Sequence, residues 1–221
     1  MAKKIHGFIF DMDGIIIDSE PVHSKAKMDT FAHYGIPFQE KDLIHYMGMN
    51  SHDGFQKILK DYHRTDIPLQ EMIDYKHHCY MEVLKKGDIQ PIAGTVDLIK
   101  QLYATGMPLA LATSSWRPSM ETVLNRFGIS DYFQVKIAGD EVKVSKPDPT
   151  IYLLAAKGIG VKPEDCAVLE DTKAGITAAK RAGMYCIAYH NPNSGNQDLS
   201  DADWIVEHIS DIQVEHLLDK K

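Results

Sequence analysis

"GFIFDMDGIIIDSE", Gly7–Glu20, is the stretch on which the reading of the whole chain turns. An apolar run, Gly7–Phe10, leads straight into Asp11 and Asp13, with Gly14 directly behind them. Uninterrupted apolar runs of this length suit strands buried on both faces, as in parallel sheets. Two like charges one residue apart at the end of such a strand repel each other and need a reason to be there. One reason is a plain turn, with Gly14 supplying the turn geometry. The other is a site, and the rest of the chain decides between them.

Beyond Gly94 the pattern alternates between short apolar runs and helical stripes. Pro108–Ala112, Val135–Ala138, Cys166–Leu169 and Tyr185–Tyr189 read as buried strands. Between them, Val123, Leu124 and Phe127, and then Ile176, Ala179 and Ala182, recur at helical spacing. Repeated strand–helix units imply a Rossmann-like α/β core, a parallel sheet with helices on both faces. The first strand must join that sheet, because a lone strand is not stable.

From Ser19 to Gly87 the pattern is helical throughout. Pro21 suits an opening turn, with Asp18 or Ser19 as its cap. Phe55, Ile58, Leu59 and Tyr62 form one amphipathic stripe, and Leu69, Met72 and Ile73 begin another that resumes at Tyr80, Val83 and Leu84. Gly87, Pro91 and Gly94 then punctuate the chain. The expected organisation is therefore a core formed by residues 1–18 and 89–221, with an α-helical cap domain, residues 19–88, inserted into it. Hinges are expected near Ile15–Ser19 and Gly87–Ile92.

Composition narrows the function classes. The 221 residues include 24 Lys plus Arg against 31 Asp plus Glu, a formal net charge of −7, and no basic face of the kind nucleic-acid binding requires. Any anionic substrate must therefore meet local positive charge. The three cysteines, Cys79, Cys166 and Cys186, form no CxxC pair, so neither a disulfide framework nor a cysteine-rich zinc site is expected. No apolar run has membrane-spanning length, and the first one stops at Asp11, too early for a signal peptide. A cytoplasmic protein without nucleic-acid or membrane partners is expected; the oligomeric state is left open.

In parallel α/β sheets, ligands collect at the carboxyl ends of the strands. The residues just past each predicted strand are therefore informative. Asp11 and Asp13 come after the first, and Thr113, Ser114 and Ser115 after the second; Lys146, in "SKPDP", lies beyond the third, and Glu170 and Asp171, in "LEDTKAG", beyond the fourth. Four carboxylates at one edge repel one another unless a divalent cation neutralises them, and hard oxygen donors favour Mg²⁺. The grouping suits phosphoryl transfer to a carboxylate. Lys146 and the Thr113 hydroxyl would hold the phosphoryl oxygens, and Asp13 would move the proton.

"DMDGIIIDSE", the run ending in "ATSS", "SKPDP" and "LEDTKAG" together resemble the four motifs of the haloacid dehalogenase superfamily, in order and across essentially the whole chain. The resemblance is strongest to the branch with a helical cap inserted after the first motif, which includes sugar-phosphate phosphatases and β-phosphoglucomutase. It implies Asp11 as nucleophile, Asp13 as general acid and base, Thr113 as phosphate-binding hydroxyl and Lys146 as the charge-stabilising lysine. It further implies that Asp11, the Asp13 backbone carbonyl and Asp171 ligate Mg²⁺, with Glu170 in or beside that shell. The implied activity is hydrolysis of a small phosphorylated metabolite, with β-phosphoglucomutase as the alternative.

The mutase pattern has an arginine three residues past the glycine matching Gly48, where this chain has Ser51 followed by His52. The residue matching Trp116 is commonly lysine in the mutases. An arginine would grip a second phosphate bidentately, and serine does not.

Four further residues are substrate-binding candidates. Lys76 interrupts the apolar stripe of its helix, either as a snorkelling lysine or as a group meeting substrate. His23 resembles a histidine that contacts substrate in the mutases, although a lone histidine is more often structural. Ser114 and Arg117 flank the second motif, where Arg117 is equally suited to surface packing.

Overall fold

The computed structural model describes residues 5–39, 41–42, 46 and 51–218, with the backbone only at residue 51. Two compact units emerge, Met1–Asp18 with Ile89–Lys221, and Ser19–Asp88.

The first unit is a six-stranded, wholly parallel sheet. Its strands are β1 (Gly7–Phe10), β2 (Leu109–Ala112), β3 (Val135–Ile137), β4 (Cys166–Glu170), β5 (Tyr185–Tyr189) and β6 (Trp204–Val206), in the order β3-β2-β1-β4-β5-β6. The expected Rossmann-like α/β architecture is present. Its helices are α4 (Thr95–Ala104), α5 (Arg117–Arg126), α6 (Thr150–Gly158), α7 (Lys173–Arg181) and the short α8 (Val214–Leu217). β1 lies at the centre and every one of its residues is buried, which is why its sequence is apolar without alternation. The small residues of α6 and α7, such as Ala155, Ala156, Ala178 and Ala179, let these helices pack closely on Ile9, Ala110 and Val168.

From β1 the chain first builds outward through β2 and β3, then returns to β4 on the other side. The direction of winding therefore reverses between β1 and β4, leaving a crevice at their carboxyl ends. Phe10 pairs with both Leu111 and Leu169, so Asp11, Ala112 and Glu170 come level.

β6 is absent from the sequence reading. It is a three-residue edge strand with exposed Ile205 at its middle and acidic neighbours Asp203 and Glu207, so it lacks the apolar run of a buried strand. β4 continues one residue further than expected, to Glu170.

The second unit holds α1 (Glu20–His33), α2 (Ser51–Asp61) and α3 (Leu69–Lys86). Its own core gathers Phe31, Ile36, Phe38, Phe55, Ile58, Leu59, Met72 and Ile73. Neither expected side-chain cap forms at α1. Ser19 stands at the cap position without a side-chain cap bond, and Asp18 instead accepts a hydrogen bond from Asn193. Among the described residues no helix is long and apolar enough to cross a membrane.

Within the first unit, the chain segments that leave and re-enter the sheet are stitched together. Ile92 N–H donates to the Ile16 carbonyl at 2.9 Å, and the fully buried Thr95 hydroxyl donates to the Ile15 carbonyl at 2.7 Å. Thr95→Val keeps the shape but strands that carbonyl away from water. Losing the bond costs about 1–3 kcal/mol, which lowers Tm by roughly 2–12 °C for a chain of this size. A thermal melt superimposable on the wild type would show that this bond contributes nothing.

Candidate active site

Asp11 follows β1 directly, 5% exposed, with its N–H donating to the Leu169 carbonyl at 3.0 Å. The chain then turns sharply, Ile16 N–H reaching back to the Met12 carbonyl at 2.7 Å and Gly14 N–H to the Ile17 carbonyl at 2.8 Å. Gly14 is required twice over. Its φ is +76°, and a Cβ there would stand 1.9 Å from Asp171 Oδ2.

The turn sets Asp13 against the end of β2. Asp13 Oδ2 accepts the Ser115 hydroxyl at 2.8 Å and the Thr113 hydroxyl at 3.1 Å, while Thr113 Oγ1 accepts from Ser115 N–H at 2.9 Å. Asp13 Oδ1 is buried and has no hydrogen-bond partner among the described residues. Ser114, between Thr113 and Ser115, is exposed.

Lys146 Nζ bridges the two central strands, 2.7 Å from Asp11 Oδ1 and 2.8 Å from Glu170 Oε1, with the Ala112 carbonyl at 3.3 Å. The ring of Tyr152 lies 4.8 Å from the same ammonium, and its hydroxyl donates to Glu170 Oε1 at 3.0 Å. Glu170 Oε2 accepts from Asp171 N–H and Thr172 N–H, each at 2.8 Å, and from the Thr172 hydroxyl at 3.0 Å. Five hydrogen bonds occupy a carboxylate with room for about four in ideal directions. Glu170 therefore anchors Lys146 and the start of α7. A Cβ on Gly175 would stand 1.6 Å from Glu170 Oε1, which accounts for the glycine in "DTKAG".

Asp171 is 2% exposed. Its Oδ2 accepts the Ser194 hydroxyl, and its Oδ1, like that of Asp13, is buried without a partner among the described residues.

The electrostatics arise from burial. Burial opposes the charge on Lys146, but Asp11 and Glu170 outweigh it and raise its pKa above the usual lysine value. Although burial works against its charge, Glu170 is held below the ordinary carboxylate range by Lys146 and by the hydrogen bonds it accepts. Burial raises the pKa of Asp11, with Lys146 opposing and the neighbouring carboxylates adding to the rise. Asp171 is pushed up to about 7, by burial and then by Glu170. One ammonium is thus set against four carboxylates, and the cluster as it stands lacks positive charge.

The residues fit a hard divalent cation. Oxygens of Asp11, Glu170 and Asp171 lie within 4.8 Å of one another, all three residues are buried, and the donors are all oxygen. The unpartnered Asp171 Oδ1 is the clearest open valence.

Two of the cap candidates meet each other. In the inserted unit, Lys76 is 4% exposed and its Nζ lies 3.1 Å from His23 Nδ1 and 5.1 Å from the Tyr80 ring centre, with His23 stacked on Tyr80 at 4.4 Å. An ammonium has only protons to give, so Nδ1 accepts and the imidazole proton sits on Nε2. Burial, then Lys76, pushes the His23 pKa down to about 3, leaving it neutral. Gly48 lies outside the described residues, as does the side chain of Ser51; His52 contacts its neighbour Asp53 at 3.3 Å.

Arg117, beside the second motif, is held by an acidic residue and a backbone carbonyl. Its guanidinium donates to Glu141 at 2.8 and 2.6 Å and to the Lys136 carbonyl at 3.0 Å, tying the start of α5 to the loop after β3.

Sequence reasoning passed over Ser115 as an Asp13 partner, Tyr152, Gly175, and the loop after β5 with Asn191 and Ser194. Of these, Ser115 and Gly175 carried a signal, their places in the second and fourth motifs.

With this geometry in hand, similarity to known proteins becomes informative. The family profile of the haloacid dehalogenase-like hydrolases matches residues 8–189. The chain is 34% identical over 184 residues to fructose-1-phosphate phosphatase YqaB of Escherichia coli (strain K12), spanning 83% of this chain and 96% of that protein. It is 31% identical over 216 residues to the β-phosphoglucomutase of Bacillus subtilis (strain 168), spanning 95% and 92% respectively. A crystal structure of mutant CbbY from Rhodobacter sphaeroides in complex with xylulose-(1,5)bisphosphate aligns with a TM-score of 0.83 at 26% identity, over 97% of this chain and 100% of that one. The four motifs, the parallel sheet that brings them together and the profile match agree: the chain belongs to the haloacid dehalogenase-like hydrolase family.

Proposed function

We propose that this hydrolase is a Mg²⁺-dependent phosphatase of a small phosphorylated metabolite, a sugar phosphate, acting through an aspartyl-phosphate on Asp11. The observation that carries this reading is the pairing around β1. Asp11 is fixed by Lys146 on one oxygen, and Asp13, two residues on, is held by the Thr113 and Ser115 hydroxyls.

In the first step an Asp11 carboxylate oxygen attacks phosphorus. The bond to the ester oxygen breaks, and that oxygen leaves with a proton from Asp13. In the second step Asp13, now a carboxylate, takes a proton from water. The water oxygen attacks phosphorus, the bond to Asp11 breaks, and inorganic phosphate is released. Lys146 and the Thr113 hydroxyl are proposed to hold the equatorial oxygens, where negative charge spreads in the transition state.

Asp11, the Asp13 backbone carbonyl and Asp171 would hold Mg²⁺, with Glu170 beside them. Bound there, the ion would supply the positive charge that lets a dianionic phosphate approach four carboxylates. Ser114, at the end of β2, and Lys76 and His23, in the inserted unit, are proposed to read the substrate beyond its phosphate.

The names of the similar proteins support a phosphorylated sugar as substrate: fructose 1-phosphate for the Escherichia coli phosphatase and xylulose-(1,5)bisphosphate for the CbbY complex. Similarity to a β-phosphoglucomutase favours the second reading, interconversion of β-glucose 1-phosphate and glucose 6-phosphate. Ser51, in place of the arginine of the mutase pattern, weighs against it.

Asp11→Asn and chelation of Mg²⁺ are each expected to lower phosphate release from a panel of sugar phosphates by at least about a thousandfold. Release that survives both treatments would remove Asp11 and its metal from the reaction. Incubation with β-glucose 1-phosphate, with and without glucose 1,6-bisphosphate, separates the two readings. Free phosphate is expected in both arms; glucose 6-phosphate without free phosphate would make the protein a mutase.

A further inference from the structure

Between β5 and β6 the chain runs through "HNPNSGNQDLS", His190–Ser200, a mostly exposed loop with one buried polar residue, Asn191. Asn191 Nδ2 donates to the Gly14 carbonyl at 3.0 Å, and its Oδ1 accepts from Asn193 N–H at 2.8 Å, closing a tight local turn. Asn193 donates to Asp18, the last residue before the inserted unit. Gln197 spans the far side, its Nε2 donating to the Ser194 carbonyl at 2.9 Å and its Oε1 accepting Lys173 N–H from the start of α7 at 3.0 Å. The loop is therefore pinned to the turn after β1 at one end and to α7 at the other. Ser194 sits between the pins, and its hydroxyl reaches Asp171 Oδ2.

A carboxylate left to itself swaps its two oxygens freely, because its terminal torsion is broad and two-fold. Here one oxygen is claimed by a hydroxyl on a braced loop, and the other is buried without a partner among the described residues. The donor is also neutral. A lysine in that place would cancel the carboxylate charge and compete with a cation; a hydroxyl leaves the charge available. Carboxylates that bind metals are commonly held in this manner by an outer hydrogen bond.

We propose that Ser194 is a positioning residue for the metal: by taking Asp171 Oδ2 it presents Asp171 Oδ1 to Mg²⁺, and Asn191 and Gln197 hold the loop so that it does so. This rests on the Mg²⁺ reading above, and it assigns the loop after β5 as a fifth strand end serving the site.

The test is calorimetric titration of the metal-free full-length protein with Mg²⁺ alone, read without turnover, with the metal-free melting temperature of each variant recorded alongside. Ser194→Ala is expected to weaken Mg²⁺ binding about 10- to 100-fold. Ser194→Thr, which keeps the hydroxyl, is expected to stay within about threefold of the wild type. Asp171→Asn serves as the control for the site itself and is expected to lose binding.

Ser194→Ala with wild-type affinity, while Asp171→Asn loses it, overturns the role of Ser194 and leaves the metal site standing. Wild-type affinity in Asp171→Asn overturns both. Should Ser194→Ala melt early, Ser194→Thr decides: binding as weak as in the alanine variant overturns the proposal, and recovered binding supports it.

Discussion

The buried ammonium of Lys146, shared between Asp11 and Glu170, is the contact on which the rest of the site depends. Its contacts with the two carboxylates measure 2.7 and 2.8 Å, and all three side chains are nearly inaccessible to water. A charge in such a place is costly unless it is paired and hydrogen-bonded. The fold meets that demand from several sides. β1 brings Asp11, β4 brings Glu170, α6 brings the Tyr152 hydroxyl, and the start of α7 adds two backbone N–H groups and the Thr172 hydroxyl. Gly175 is small because Glu170 must lie against it. The arrangement leaves Asp11 oriented, Lys146 charged, and the surrounding carboxylates short of positive charge.

That shortage links the fold to chemistry. The crevice between β1 and β4 exists because the winding reverses there, and strand ends at such a point are free to carry polar groups. Two of the carboxylates that gather there each have one oxygen engaged by hydroxyls and one buried oxygen without a partner among the described residues. Such a cluster is poorly satisfied without a cation and well suited to hold one.

Much of this was legible in the sequence because buried parallel strands leave a coarse signal. "GFIF", "LALA" and "CAVL" are apolar without alternation, and the polar residues that interrupt them mark the strand ends. The helical stripes of α2, α3 and α7 were equally plain. What escaped depends on contacts between residues far apart in the chain. Tyr152 reads as one more apolar residue of α6 until β4 places Glu170 beside it. Ser194 and Asn191 look like turn formers in a polar loop, and nothing local shows that the loop folds back onto Asp171 and Gly14. Arg117 stands next to the second motif, but its partner Glu141 lies 24 residues away and could not be recognised in advance. β6 was invisible because an exposed edge strand of three residues has no pattern to read.

The central claim is that Asp11 is the residue that carries the phosphoryl group. Acid-quenching the enzyme during turnover of a sugar phosphate and reducing it with borohydride converts an acyl phosphate on aspartate to homoserine, which peptide mass spectrometry locates. The account predicts homoserine at position 11, absent when substrate is withheld. Steady turnover with position 11 recovered as unmodified aspartate, or with homoserine at another position, would contradict it.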